Sequence, residues 1–368
     1  MSVIFNQPPA AGQPPRRWRR ALAIATGSAV AASAAVGIAW TAAGASTQRV
    51  LTTSEITART NPAVVDVVST LGYQHASAAG TGVVLTSNGE VLTNNHVVDG
   101  ATSIKVTDVG NGRTYRAMVV GYDRKDDIAV LRLRGASGLT TATIGDSSAV
   151  RTGEKVVGIG NAGGRGGRPS VATGKVTGLG QTITASDQAA GTSEQLTGVI
   201  RTNAGIEAGD SGGPLVNSYG QVIGIDTAAS SSFHVQSGTS QTQSFAIPVS
   251  KALSVASEIE ASKSSATVHI GATAFLGVEL SPSPGFQGRP ASAGVTLAGV
   301  VPGSPAASAG LAAGDQIASV GGRPVASSSD IQSALEAHHP GDAISISWLD
   351  PSGQSHTASV VLATGPAG

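Results

Sequence analysis

Cysteine is absent from the 368 residues. That excludes disulfides and thiolate metal sites. It leaves the compartment open, because an exported protein can do without disulfides. Aromatic residues make up only 3% of the chain and charged residues 12%, so a core has to be built from aliphatic side chains. Acidic residues are missing from the first 50 positions, which hold five arginines. The remainder carries all 23 acids against the other 18 of the 23 basic residues. An acidic body argues against nucleic acid as a partner. No metal-ligand or nucleotide-binding spacing stands out, so neither a metal nor a cofactor is expected. The chain is too long for one typical domain and allows two. Its 49 glycines suit many tight turns.

The N-terminal stretch is read first. Residues 1–15 are rich in Pro, Gln and Ala, a composition expected to stay disordered. Arg16-Arg17-Trp18-Arg19-Arg20 closes a basic region spanning 1–20. Residues 21–45 then run without a charge. A soluble helix is rarely apolar all round at that length, so the segment reads as a transmembrane anchor or a signal peptide. Charges before it place the N-terminus inside and the rest outside the cytoplasm. Ala43-Gly44-Ala45 fits a small-x-small cleavage rule, whereas the long basic region fits an anchor. Arg19-Arg20-Ala21-Leu22 loosely resembles a twin-arginine signal. If uncleaved, residues 21–45 make the membrane a partner.

Three words in the body carry chemistry. Gly209-Asp210-Ser211-Gly212-Gly213-Pro214 puts a serine among glycines between strand-like runs. Glycine permits tight, exposed turns and close approach of a substrate. Such a turn can aim the N–H groups of Gly209 and Ser211 at one developing oxyanion. Val91-Leu92-Thr93-Asn94-Asn95-His96-Val97-Val98 ends an alternating run at a histidine. Asp126-Asp127-Ile128-Ala129-Val130-Leu131 opens an apolar strand with a carboxylate. Each alone is weak. Together, in the order His96, Asp127, Ser211, they supply a base suited to neutral pH, a carboxylate that fixes its tautomer, and a nucleophile.

Order and local words resemble a trypsin-like serine protease of the HtrA/Deg family, of the exported actinobacterial type with a C-terminal PDZ domain. "TNNHVV", "DDIAVLRL", "GDSGGP" and "SFAIP" each match, and the resemblance runs from about Leu51 to Leu362. It selects Asp127 over Asp126, because the matching aspartate directly precedes the aliphatic-Ala pair. It implies an all-β protease domain over 51–261, built as two six-stranded barrels. His96 and Asp127 come from the first barrel and Ser211 from the second. It implies a linker at 262–270 and an α+β PDZ domain over 271–363.

The strand-like segments agree with that architecture: short, and separated by Gly, Asn, Asp and Ser. Asn161–Pro169, Ala185–Gln195 and Ala228–Gln241 read as flexible loops, and Ser250–Ala261 as an amphipathic helix with Ser250 as N-cap. The resemblance puts Gly205 at the base of the primary specificity pocket, with Ile206, Ser244, Phe245 and Ala246 around it. No acid stands at that base, so cleavage after Val, Ala, Ile, Leu or Thr is expected. In the second domain "GLAAGDQI" is the most specific word. Phe275, Leu276, Gly277 and Val278 match a carboxylate-binding loop. Ile331 and Leu335, one helical turn apart, either face the peptide groove or belong to the helix core.

Two departures stand out. Asp210 replaces the usual Asn before the nucleophile, and no partner for it is apparent in the sequence. Glu207 is unusual against the family's common "NPG" word, which this stretch lacks. The implied activity is an extracytoplasmic serine endopeptidase, secreted or membrane-anchored, acting on unfolded or exposed polypeptides and binding peptide C-termini at the PDZ domain. The implied assembly is a homotrimer, although Leu51–Thr60 has none of the aromatics such trimers use. The alternative is a PDZ-based peptide-binding chaperone or scaffold, which the complete set of His, Asp and Ser disfavours.

Overall fold

The computed structural model describes residues 49–187, 192–227, 243–281 and 294–367. The basic region, the uncharged run 21–45 and the loop Ala228–Gln241 lie outside these residues, as does the centre of Ala185–Gln195. Among the described residues, no helix is long and apolar enough to cross a membrane.

A capped helix, α1 (Thr53–Thr60), leads into the first barrel. Its strands are β1 (Val64–Leu71), β2 (Ala76–Val84), β3 (Glu90–Thr93), β4 (Ser103–Asp108), β5 (Thr114–Asp123) and β6 (Ile128–Leu133). The single-turn α2 (Asn95–Val98) follows β3. Valine, isoleucine and leucine dominate these strands, and their branched side chains fit a pleated surface. Where one face meets solvent the residues alternate, as in Ser103–Asp108. The order is β5-β4-β1-β2-β3-β6, and β6 pairs back onto β5 to close the sheet.

The second barrel comprises β7 (Lys155–Gly160), β8 (Ser170–Asp187), β9 (Thr192–Thr202), β10 (Pro214–Asn217), β11 (Val222–Thr227) and β12 (Ser244–Pro248), closed in the order β10-β11-β12-β9-β8-β7. Leu92, Ile128, Ile225, Phe245 and Ile247 pack in one core between the barrels. Helix α3 (Val249–Glu260) covers that core with Ala252, Val255, Ala256 and Ile259. A fully buried valine or isoleucine of this set contributes about 1.5–3 kcal/mol, and an alanine methyl about 0.8 kcal/mol. The N-cap expectation at Ser250 is corrected. The helix starts at Val249 with Pro248 as its cap residue, because buried Val249 belongs to the same core; Ser250 instead bonds Ser147.

The stretch 262–270 is not all linker. Val268–Ile270 forms β13, antiparallel to β5 at Gly121–Asp123. A Cβ on Gly121 would lie 2.6 Å from the His269 carbonyl oxygen, so only glycine allows this pairing. The second domain follows: β14 (Ala274–Phe275), β15 (Val278–Leu280), β16 (Val295–Val300), α4 (Pro305–Ser308), β17 (Gln316–Val320), β18 (Arg323–Pro324), α5 (Ser328–Glu336), β19 (Ala343–Leu349), β20 (Ser355–Val361) and β21 (Ala363–Thr364). A capping box between Ser327 and Asp330 starts α5. The main sheet runs β15-β16-β17-β19-β20, which leaves β15 as an edge strand.

This domain is docked on the first barrel. Arg124 pairs with Glu336 at the end of α5 (2.9 Å) and with Asp99 just after α2 (3.2 Å). His269 stacks between Tyr122 and His339. Ala367 exchanges backbone hydrogen bonds with Gly100 and Ala101.

Candidate active site

The first barrel positions His96 and Asp127. Val97 and Val98 anchor α2 in the barrel core, and Ser69 donates to the Val97 carbonyl (2.7 Å), so His96 is turned outward. Its side chain is 46% exposed. Asp127 sits on the β5–β6 turn at φ 52°. For a residue with a Cβ that left-handed conformation costs about 1–2 kcal/mol, tolerated best by Asp and Asn. In return its carboxylate, 2% exposed, is well held. One oxygen accepts from the His96 backbone N–H at 3.0 Å, and the other lies 2.9 Å from His96 Nδ1. Thr227 donates to it from the second barrel (3.3 Å), and Asn94 holds the Asp127 carbonyl (2.9 Å). A carboxylate accepting at Nδ1 favours the tautomer with the proton on that nitrogen, which makes Nε2 the accepting position of the ring. Asp126 points elsewhere, to Lys251 of α3 at 2.6 Å.

The second barrel positions Ser211, on the turn between β9 and β10. Its carbonyl accepts from Thr81 of β2 (2.8 Å), a bond between barrels. Gly80 allows this approach: a Cβ there would lie 2.6 Å from Val97 and 3.2 Å from the Ser211 carbonyl oxygen. The carbonyls of Ala208 and Asp210 are tied by the N–H groups of Gly163 (2.7 Å) and Gly213 (2.9 Å). In a trans peptide the following N–H points opposite its carbonyl. The N–H groups of Gly209 and Ser211 are therefore turned away from those bonds, as an oxyanion hole requires. Gly209, at φ 99°, would place a Cβ 2.2 Å from the Asn161 carbonyl oxygen, so the turn demands glycine.

Asp210 has partners that the sequence did not reveal. Its carboxylate accepts from Ser170 Oγ (2.6 Å) and from the Glu207 N–H (2.9 Å), while burial pushes its pKa up. Behind it lies Asp226 of β11, fully buried, with neither carboxylate oxygen partnered among the described residues. Burial, and secondarily the neighbouring Asp210, raise its pKa well above the usual carboxylate range.

The residues assigned to the specificity pocket separate. Gly205 is exposed, with open space where a Cβ would stand. Ile206 and Ala246 are buried in the second-barrel core, and Ser244 donates to the Ala204 carbonyl. Phe245 is corrected: strand alternation turns it to the opposite face, into the core between barrels. Asp226 lies directly across from Ala246 and, like Ile206, packs on Gly158; it is an addition to this set. No sequence word marks Asp226, Thr227, Thr81 or Ser170, because their partners are far away in the chain.

In the second domain Gly277 takes φ 82° and its carbonyl accepts from Val301 and Ser304. Leu276 is buried in the core, and half-buried Phe275 stacks on Tyr73 of the first barrel. Ile331 is 3% exposed and belongs to the core, whereas Leu335 is only partly buried at its edge.

Two closed six-stranded barrels, a His–Asp pair from one and a Gly-framed serine from the other define a trypsin-like serine peptidase. Residues 80–225 match the trypsin-like peptidase domain family, and residues 274–351 the PDZ domain family. Serine protease PepD of Mycobacterium tuberculosis is 34% identical, over 94% of this chain and 72% of that protein. Serine protease Do-like HtrA of Lactococcus lactis is 34% identical, over 80% and 72%. Periplasmic serine endoprotease DegP of Salmonella typhimurium is 34% identical, over 75% of this chain and 55% of its own length. The chain belongs to the HtrA family of serine proteases: a serine endopeptidase with a PDZ domain.

Proposed function

We propose that His96, Asp127 and Ser211 carry out peptide-bond hydrolysis. His96 Nε2 takes the Ser211 proton as Oγ attacks the scissile carbonyl. Asp127 holds the imidazole and stabilises the imidazolium. The N–H groups of Gly209 and Ser211 receive the oxyanion, and His96 returns the proton to the leaving amine. The observation that carries this reading is the Asp127 carboxylate bonded to both the ring and the backbone of His96.

The substrates are unfolded or exposed polypeptides outside the cytoplasm. Support comes from the periplasmic naming of the DegP relative and from the charge asymmetry around 21–45. Anchor and cleaved signal peptide both fit that placement. The edge of β15 takes an extended peptide, with its carboxylate at Phe275–Val278 and with Leu335 at the groove. At the acyl side, Gly205 and Ile206 favour small aliphatic residues, and burial favours the neutral form of Asp226 behind them. A fluorophosphonate should label the full-length chain at Ser211, and casein should be cleaved mainly after Val, Ala, Ile, Leu or Thr. Absence of both labelling and cleavage would return the chain to the scaffold reading. Cuts mainly after Arg or Lys would overturn the pocket assignment.

A further inference from the structure

The segment Asn161–Pro169, expected as a flexible loop, is pinned on both sides. The Asn161 side chain accepts from the Gly166 N–H (2.7 Å), and buried Asp66 of β1 accepts from the Gly167 N–H (3.2 Å). Gly163, Gly164, Gly166 and Gly167 all take positive φ, so the chain coils tightly between them. Two arginines, Arg165 and Arg168, project from this coil and are exposed. Neither forms an ion pair among the described residues.

Their position relative to Ser211 follows from three contacts. Gly163 donates to the Ala208 carbonyl, next to Gly209. A Cβ on Gly163 would lie 3.6 Å from Arg165 Nε, so that guanidinium folds back over the glycine that braces the oxyanion turn. A Cβ on Gly164 would meet Ala79, the neighbour of Gly80, which itself packs on Val97 and the Ser211 carbonyl. The segment therefore flanks Ser211 on the β2 side, next to the turn that carries His96. Gly205 and Ser244, proposed above for the acyl side, belong to a different neighbourhood: Ser244 donates to the carbonyl of Ala204, next to Gly205. The amine released by His96 must leave past β2 and the coil.

We propose that Arg165 and Arg168 form a basic rim on the leaving-group side and select substrates with Asp or Glu just downstream of the cut. This rests on the roles proposed for Ser211 and His96. Three acids lie near the rim. Asp66 and Asp210 are buried, each with a pKa raised by burial, and Glu207 is exposed on the nucleophile turn. Against one exposed acid stand two exposed guanidinium groups, so an acidic residue arriving there meets net positive charge. Guanidinium also suits a carboxylate geometrically, through paired N–H donors.

The test uses full-length protein and peptides sharing one acyl-side sequence ending in Val, with Ala, Asp, Glu or Lys at the first two downstream positions. At low salt the acidic peptides should show kcat/KM about 5- to 10-fold above the Ala peptide, with the Lys peptide below it. The preference should shrink at about 0.5 M salt, because exposed charges are screened. Arg165→Ala with Arg168→Ala should remove the preference while the Ala peptide is cleaved within about twofold of the parent rate. Arg165→Glu with Arg168→Glu should reverse it in favour of Lys. Equal rates for acidic and neutral peptides, or a preference unchanged by charge reversal, would overturn the rim. Failure to cleave even the Ala peptide would instead strike the proposed hydrolysis.

Discussion

Asp127 and Asp226 are both nearly inaccessible, at 2% and 0% exposure, and both lie close to the nucleophile, yet their surroundings are opposite. Asp127 is surrounded by donors: the ring and backbone of His96, and Thr227. Asp226 has none among the described residues and faces Ile206, Gly158 and Ala246. The two sites are joined by one peptide unit, because Thr227 follows Asp226 in β11. Strand alternation sends Thr227 toward the first barrel's carboxylate and Asp226 into the second barrel. Burial by itself therefore says little about a carboxylate; the donors around it decide whether charge is held or expelled.

The largest effect is expected on the side built for charge. Ser211→Ala should abolish cleavage and leave thermal stability nearly unchanged. His96→Ala should cost almost as much, and the double variant little more, because the groups act as a unit. Casein assays beside unfolding curves check this; substantial turnover in Ser211→Ala would remove the serine from its role.

Next comes the carboxylate itself. Asp127→Asn should lower kcat by about 10⁴ by favouring the wrong imidazole tautomer. Asp126→Asn should leave kcat within about twofold, since Asp126 only pairs with Lys251 at the surface. Reversed outcomes would exchange the two aspartates.

Asp226→Asn probes the other side of the comparison. The folded pKa of Asp226 is raised above its unfolded value. Between those two values the native state keeps a proton that the unfolded chain has released, so stability falls as pH rises, by about 1.4 kcal/mol per pH unit. Below the unfolded value, near pH 4, this contribution vanishes. The asparagine variant should therefore gain on the parent steadily as pH rises from about 4 toward the folded pKa, in urea titrations at stepped pH. Parallel curves would mean that Asp226 ionises alike in both states.

The smallest effect belongs to the residue that joins the two. Thr227→Val removes one donor from Asp127 and should cost about 1 kcal/mol of stability. A several-fold drop in kcat with KM steady would mark it as positioning the carboxylate; a stability loss alone would make it structural.

The parts of this site visible in the sequence were those written as local words. His96, Asp127 and Ser211 each lie inside a run whose alternation or glycine content shows by itself. The partner of Asp210 was invisible because Ser170 lies 40 residues away, and the brace between Thr81 and Gly209 spans 128. Barrel closure creates such contacts and leaves no periodic trace. The pinned state of Asn161–Pro169 was hidden for the same reason: its glycines read as freedom, while Asp66 of another strand holds them. Val268–Ile270 was passed over as linker because three residues are too few to show a strand period. Phe245 was misassigned by treating neighbours in a strand as neighbours in space.

That short strand also sets the unit in which this protein can be recombined. A protease fragment trimmed after Glu260 would lose β13 and bare the N–H and C=O groups of β5 at Gly121–Asp123. An unpaired edge of that kind invites pairing with other chains, so the trimmed fragment should be prone to aggregation. A chimera that imports a foreign peptide-binding module should be joined after Ile270, carrying β13 with the protease. Even then the graft removes Glu336, one of the two acids that pair with Arg124 on the turn that bears Asp127, and leaves Asp99 alone to hold it.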